Sequence, residues 1–173
     1  LAILGKQTNK DYLQKLFERK DPQYLFWAID FNRSHHEYHS DFYPGIISLI
    51  KSENIILSQK AVSYFTSDLL KDGEIQKELA RVTGDVSSQN KFEIIRKFSE
   101  LHHVNNDAIL ILMLHYENQQ IDSGLLSYVI RLIHSENMTN DQIVKRLKKL
   151  SKDKNLYVRN LTKEKLGPEN NTY

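Results

Sequence analysis

Apolar residues recur along this chain at three- and four-residue intervals and are interrupted by short polar turns, the pattern of amphipathic helices and not of strands. Asp21-Pro22 opens one helix, an N-cap carboxylate followed by proline at the first helical position, where its missing donor costs nothing. That helix carries Tyr24, Leu25, Trp27, Ala28 and Phe31. Before it, Thr8, Asn9 and Asp11 mark the start of a helix bearing Tyr12, Leu13, Leu16 and Phe17. Over 41–51, Ile46, Ile47, Leu49 and Ile50 form an apolar stripe. Leu57, Ala61, Tyr64, Phe65 and Leu69 form the next, and Asp72-Gly73 reads as the end of that helix. These two helices make one antiparallel pair. Further helices are expected over 87–101, with Phe92, Ile95 and Phe98, and over 107–118, which is apolar nearly all round, as a buried central helix should be. A buried strand is the alternative over 108–114, but continuation through His115, Tyr116 and Glu117 favours the helix. Leu125, Leu126, Val129, Ile130 and Ile133 line another. Thr139 and Gln142 have the capping-box spacing and open a helix with Ile143, Val144, Leu147 and Leu150. The last helix, over 156–166, stops at Gly167-Pro168. The expectation is an all-α chain.

One motif is written twice. Ile46-Ile47-x-Leu49-Ile50-x-Ser52-Glu53-Asn54-Ile55 returns as Val129-Ile130-x-Leu132-Ile133-x-Ser135-Glu136-Asn137-Met138, 83 residues later (129 minus 46). Leu147, Leu150 and Asp153 repeat the spacing of Ile47, Ile50 and Glu53 in a looser third copy. Each copy reads as a helix end and a polar turn, and the interval fits two helix-pair repeats of roughly 40 residues. The expected architecture is therefore an α-solenoid of stacked antiparallel helical hairpins in a single domain, 1–173.

The run Ile46-Ile47-Ser48-Leu49-Ile50-Lys51-Ser52-Glu53-Asn54, followed by Leu57-Ser58-Gln59-Lys60-Ala61, resembles a HEAT or armadillo repeat. In such repeats, the resemblance implies, a helix ends in paired apolar residues, an acidic or Asn-bearing turn follows, and a second helix offers a small residue for packing, here Ala61. Asp153, Asn155, Val158 and Arg159 resemble the acidic turn and Val-Arg signature of HEAT repeats, with Thr162 where alanine is usual. The resemblance is good over 42–70 and 147–166, thin over 86–138 and poor before residue 40. It implies a binding surface for proteins and, in some members, for nucleic acid.

Composition narrows the function classes. There is no cysteine, so no disulfide framework, which fits a reducing, cytoplasmic setting. The longest apolar run, 108–114, is far short of the roughly 20 residues that span a bilayer. Leu1 is not an initiator methionine, leaving room for a longer parent chain with Leu1-Ala2-Ile3-Leu4 as the remnant of a signal or anchor. The net charge of +2 hides an asymmetry: 140–165 hold nine Lys or Arg against three acids, whereas 1–139 hold fifteen against eighteen. Lys145, Arg146, Lys148, Lys149, Lys152 and Lys154 crowd one helix and its turn, and Arg159, Lys163 and Lys165 continue on the next. Such a patch can neutralise phosphates or an anionic membrane surface. The plainer reading is the polar outer face of a terminal repeat. Only Tyr157 interleaves the basic run, so no base-stacking platform is evident.

Chemistry has one candidate, the run from Ser34 to Asp41. On a helix, His35 and His39 are four residues apart and face the same way, a metal-chelating spacing, with Asp41 or Asp30 nearby. The plainer reading is a solvated turn, and Glu37-Tyr38-His39 lacks the zinc-peptidase spacing. No G-x-G loop, cysteine nucleophile or Gly-x-Ser-x-Gly elbow occurs, so no catalytic residue, cofactor or bound metal is expected. Trp27, with Tyr24, Phe26, Phe31, Phe42 and Tyr43, makes an aromatic density that reads either as a partner pocket or as a hydrophobic cap. The functional expectation is a non-enzymatic scaffold that binds another protein in a groove lined by helices near 57–69, 107–118 and 156–166. Nucleic-acid binding through Lys145, Arg146, Lys148, Lys149, Arg159 and Lys163 is second, and metal-dependent activity at His35 and His39 third.

Overall fold

The computed structural model describes residues 2–35 and 38–167, with side chains from Asn9 onward. These residues form ten α-helices and no strand. The helices are α1 (Ala2–Glu18), α2 (Pro22–Ser34), α3 (His39–Leu49), α4 (Ile55–Tyr64), α5 (Gly73–Thr83), α6 (Ser88–Ser99), α7 (Asn106–Glu117), α8 (Ser123–Arg131), α9 (Asp141–Leu150) and α10 (Leu156–Leu166). The chain divides into two compact units, Leu1–Phe65 and Thr66–Tyr173.

Nearly every helix start from α2 on is set by a short polar side chain that accepts a hydrogen bond from an otherwise orphaned first-turn N–H. Asp21, Asn54, Asp72, Ser87, Asn105, Asp122, Asn140 and Asn155 each do so. Three expected boundaries shift as a result. Asp72-Gly73 opens α5 and does not close the previous helix, which already stops at Tyr64. The cap of α9 is Asn140, because Thr139 lies in a 3₁₀ turn, Asn137–Thr139. The first helix begins at Ala2, ahead of Thr8.

In unit 1, α2 packs against α1, α3 and α4, and α3 packs against α4. Leu13, Leu16, Ala28 and Tyr38 make its core with Phe17, Tyr24, Phe31 and Phe42 around them. A polar group is buried beside this core. Asn32, fully buried, donates from Nδ2 to the Tyr64 hydroxyl at 3.0 Å, and its backbone carbonyl lies 3.1 Å from His39 Nε2. Burial pushes the Tyr64 phenol well above its usual titration range, against the opposing pull of Arg33.

In unit 2, α5 pairs with α6, α7 with α8 and α9 with α10, through loops of four or five residues. Each pair also meets the next: α5 packs on α7, α7 on α9, α6 on α8 and α8 on α10. Two buried side chains stitch the pairs together. Gln76 donates from Nε2 to Leu70 O at 2.7 Å and accepts from Asn105 N, also at 2.7 Å. Asn137 donates to Val104 O and Asn106 Oδ1 and accepts from His134 N. Gly84 admits the His115 ring, since a Cβ there would sit 2.6 Å from it while His115 Nε2 bonds Ala80 O.

Helix starts recur at 39, 73, 106 and 141, intervals of 34, 33 and 35 residues, and at 55, 88, 123 and 156, intervals of 33, 35 and 33. The interval is thus shorter than the 40 residues expected from the motif spacing. The reason is that the two motif copies are out of phase: Ile46–Ile50 ends α3, the first helix of its pair, whereas Val129–Ile133 ends α8, a second helix.

Candidate binding surfaces

The aromatic density of unit 1 splits in two. Tyr24, Phe31 and Phe42 pack on the core, but Trp27 is 49% exposed and faces outward. Pro22, Gln23, Phe26 and Trp27 of α2 and Asn54, Ile56 and Leu57 of α4 line a pocket of about 240 Å³. Ile55 and Ile56 are each 69% exposed. Tyr24 meets Trp27 edge to face, and Lys60, paired with Asp30, sits 4.6 Å from the Phe26 ring centroid. These contacts hold the pocket walls without filling it. Its lining is mainly apolar, and of its two polar residues, Gln23 and Asn54, the latter already accepts through Oδ1 from Leu57 N.

His35 and His39 do not share a helix face. His35 caps the C-terminal end of α2, its Nδ1 2.8 Å from Phe31 O, and its ring stacks on Phe31. His39 opens α3 and is buried, with Nε2 on Asn32 O. The break between α2 and α3 removes the four-residue register that a shared helix would give; His36 and Glu37 lie outside the described residues. Among the described residues no three His, Cys, Asp or Glu side chains converge as a metal site.

In unit 2 the basic residues sort by partner. Lys145, Lys148, Lys149 and Lys152 fall at i, i+3, i+4 and i+7, one exposed stripe along α9 and the turn after it. Arg146 Nη1 lies 2.8 Å and Lys149 Nζ 3.4 Å from the Glu117 carboxylate of α7, so this acid ties α9 to α7. Lys145, Lys148, Lys152 and Lys154 make no ion pair among the described residues. Arg159 is half-buried and Lys163 exposed on α10, while Lys165 Nζ donates to Ile133 O at 2.7 Å. Burial pulls the Lys165 ammonium below its usual range, partly offset by Glu164.

The stripe runs into a cleft of about 980 Å³. Lys149, Lys152 and Lys154 line it from the α9–α10 side, Lys91 and Ser88 from α6, and Gln119, Gln120 and Ser123 from the turn into α8. Its carboxylates are all engaged. Asp122 caps α8, Glu117 holds Arg146 and Lys149, and Asp153 accepts from Tyr116 Oη at 3.1 Å and from Asn155 N at 2.7 Å. Burial and the nearby Asp153 charge raise the Tyr116 phenol above its usual range, so it stays a donor. The cleft therefore presents the open ammonium groups of Lys152 and Lys154 beside the Gln119 amide and the Ser88 and Ser123 hydroxyls, while Lys91 Nζ donates to Gln120 O and the Gln120 amide is held by His115 and Asp85.

One feature of this face is missing from the linear reading. Phe92 of α6, Tyr128 of α8 and Tyr157 of α10 are 41%, 42% and 52% exposed. Phe92 meets Tyr128 edge to face at 5.7 Å, and Arg131, 6.0 Å from the Tyr128 centroid, donates to Tyr157 Oη at 2.8 Å. The three rings are contributed by separate helices, so no local spacing joins them.

Of the helices expected to line a groove, α7 and α10 lie in unit 2, where α7 packs on α5, α8 and α9 and α10 packs on α8 and α9. Among the described residues no helix is long and apolar enough to cross a membrane. The chain matches no protein-family model, and no curated protein and no solved structure matches it.

Proposed function

We propose that the chain is a HEAT/armadillo-like helical-repeat module whose work is to bind another protein, with the Trp27 pocket as its anchor site. The helix starts, spaced by 33 to 35 residues, and the pair-upon-pair packing inside unit 2 support a helix-pair repeat, at an interval shorter than the roughly 40 residues of HEAT and armadillo units, so the likeness to those families rests on the turn motif alone. The observation that carries the binding reading is the half-exposed Trp27 beside Ile56, over a small pocket lined mainly by apolar side chains. At about 240 Å³ the pocket is below the usual size of a small-molecule site, and is suited to one apolar side chain of a partner. Trp is the residue type most enriched at interface hot spots, and Ile55 and Ile56 supply the apolar surround that excludes water.

The test is a pull-down from the native extract with the wild-type chain and Trp27→Ala side by side, at low and high salt. Each retained protein is then titrated against the fluorescence of Trp27, the single tryptophan of the chain. The expected result is a protein retained at high salt, a blue shift of Trp27 on binding, and an affinity at least about 30-fold weaker for Trp27→Ala. An unchanged set of retained proteins for a folded Trp27→Ala would overturn the assignment of the pocket.

A further inference from the structure

We propose that unit 2 binds single-stranded nucleic acid, with the phosphodiester backbone along the stripe of Lys145, Lys148 and Lys152 and in the cleft that the stripe enters, and bases against Phe92, Tyr128 and Tyr157. This surface is independent of the Trp27 pocket, and three observations lead to it. Lys145, Lys148, Lys152 and Lys154 make no ion pair among the described residues, while the three carboxylates that line the cleft, Glu117, Asp122 and Asp153, are held by their own donors. A surface evolved only for solubility gains nothing from satisfying its carboxylates and leaving its ammoniums open. The cleft adds the side-chain amide of Gln119 and the hydroxyls of Ser88 and Ser123, the neutral donors that accompany lysine at phosphate and sugar oxygens.

The aromatic row decides what kind of polyanion fits. The rings come from three helices that pack in series, α6 on α8 and α8 on α10, and the same three helices line the cleft near their starts through Ser88 and Lys91, Ser123 and Leu125, and the cap Asn155; Tyr128 is one turn beyond Leu125 on the same face of α8. Exposed rings beside a cationic channel are the arrangement that holds a single strand, because every base offers a face to stack while the backbone follows the charge. A duplex hides those faces, and an acidic peptide has none. Arg131, between Tyr128 and Tyr157, adds a planar cation to the same row.

The experiment is fluorescence anisotropy of a labelled single-stranded oligothymidylate against the full chain over a salt series. A duplex of equal length and poly-glutamate serve as competitors. With four open lysines on phosphates, the slope of log K against log salt should be about −2.8, a loss of about 50-fold between 50 and 200 mM salt. Neutralising Lys148 and Lys152 together (Lys148→Gln, Lys152→Gln) should halve that slope to about −1.4. Tyr128→Ala should weaken the single strand by about 5-fold or more and leave the duplex unaffected, and Tyr128→Phe, which keeps the ring, should restore binding. Circular dichroism verifies the fold of each variant. No binding at 50 mM salt by the folded chain, or competition by poly-glutamate equal to that by the oligonucleotide, would overturn the proposal. So would a duplex bound as tightly as the single strand with Tyr128→Ala indifferent.

Discussion

Unit 1 turns apolar side chains outward around a small pocket, with Trp27 and Ile56 exposed and the neighbouring Lys60 drawn onto Asp30 and the Phe26 ring. Unit 2 turns charge outward around a cleft four times the volume, where the carboxylates are engaged and Lys152 and Lys154 stand open. Both are built from the same short helices with the same Asp and Asn caps. The shared caps and stripes explain the helices and nothing about binding. The function-bearing difference lies in which exposed side chains are left without partners, so the two surfaces are expected to answer to different conditions: the pocket to hydrophobic truncation, the cleft to salt.

The contrast reaches inside the units, where the repeated Ser-Glu-Asn does two different jobs. In unit 2, Asn137 is buried, and its amide holds Val104 O, Asn106 Oδ1 and His134 N at once. Asn137→Ala removes all three bonds and strands the buried Val104 carbonyl, so a loss of about 3 kcal/mol is expected. Urea unfolding followed by hydrogen exchange over 104–139 measures it. A cost below about 1 kcal/mol would mean that water fills the site and that this tie between pairs is dispensable.

That asymmetry was hidden in the linear text, and its reasons are physical. Asp21-Pro22 and the stop at Gly167 were legible because each is a local backbone constraint. Helix α5 was not, since Gln76 and Thr83 occupy core positions that its apolar stripe would otherwise mark, and their burial depends on Leu70, Leu79 and the loop before α7. Residues 108–114 were legible as a buried element, and the structure resolves helix against strand in favour of the helix. The lysine stripe was legible because it lies on one helix. The row Phe92, Tyr128 and Tyr157 was not, because only tertiary packing brings it together. Likewise the density around Trp27 was visible, but which of its rings point outward depends on α1 and α4.

Unit 1 has its own buried polar group, and pH tests it without touching unit 2. Tyr64 is fully buried, and burial raises its pKa above the ordinary value of 10. Below pH 10 the phenol is neutral in both the folded and the unfolded chain, and its contribution is fully present. Above pH 10 the unfolded chain ionises first and is favoured, so stability falls by about 1.4 kcal/mol per pH unit as pH climbs toward the raised folded value. Comparing urea midpoints of wild type and Tyr64→Phe at pH 9 and 11 isolates this slope, because the other tyrosines and lysines cancel in the difference. Parallel curves would show that the phenol reaches solvent and that the Asn32–Tyr64 pair is not sealed.

The smallest effect is expected at the other Ser-Glu-Asn. Asn54 is exposed, and its Oδ1 accepts a single bond, from Leu57 N at 3.0 Å, as the cap of α4. In Asn54→Ala, water can take over that acceptor role, so the cost should be about 1 kcal/mol and appear as faster exchange confined to the first turn of α4. Asn54 also lines the Trp27 pocket, yet its amide faces its own helix, so partner affinity should change much less than in Trp27→Ala. If Asn54→Ala instead cost as much as Asn137→Ala, the two copies would be equivalent after all. The 83-residue interval would then have to be explained by something other than a copy at the end of a first helix and a copy at the end of a second.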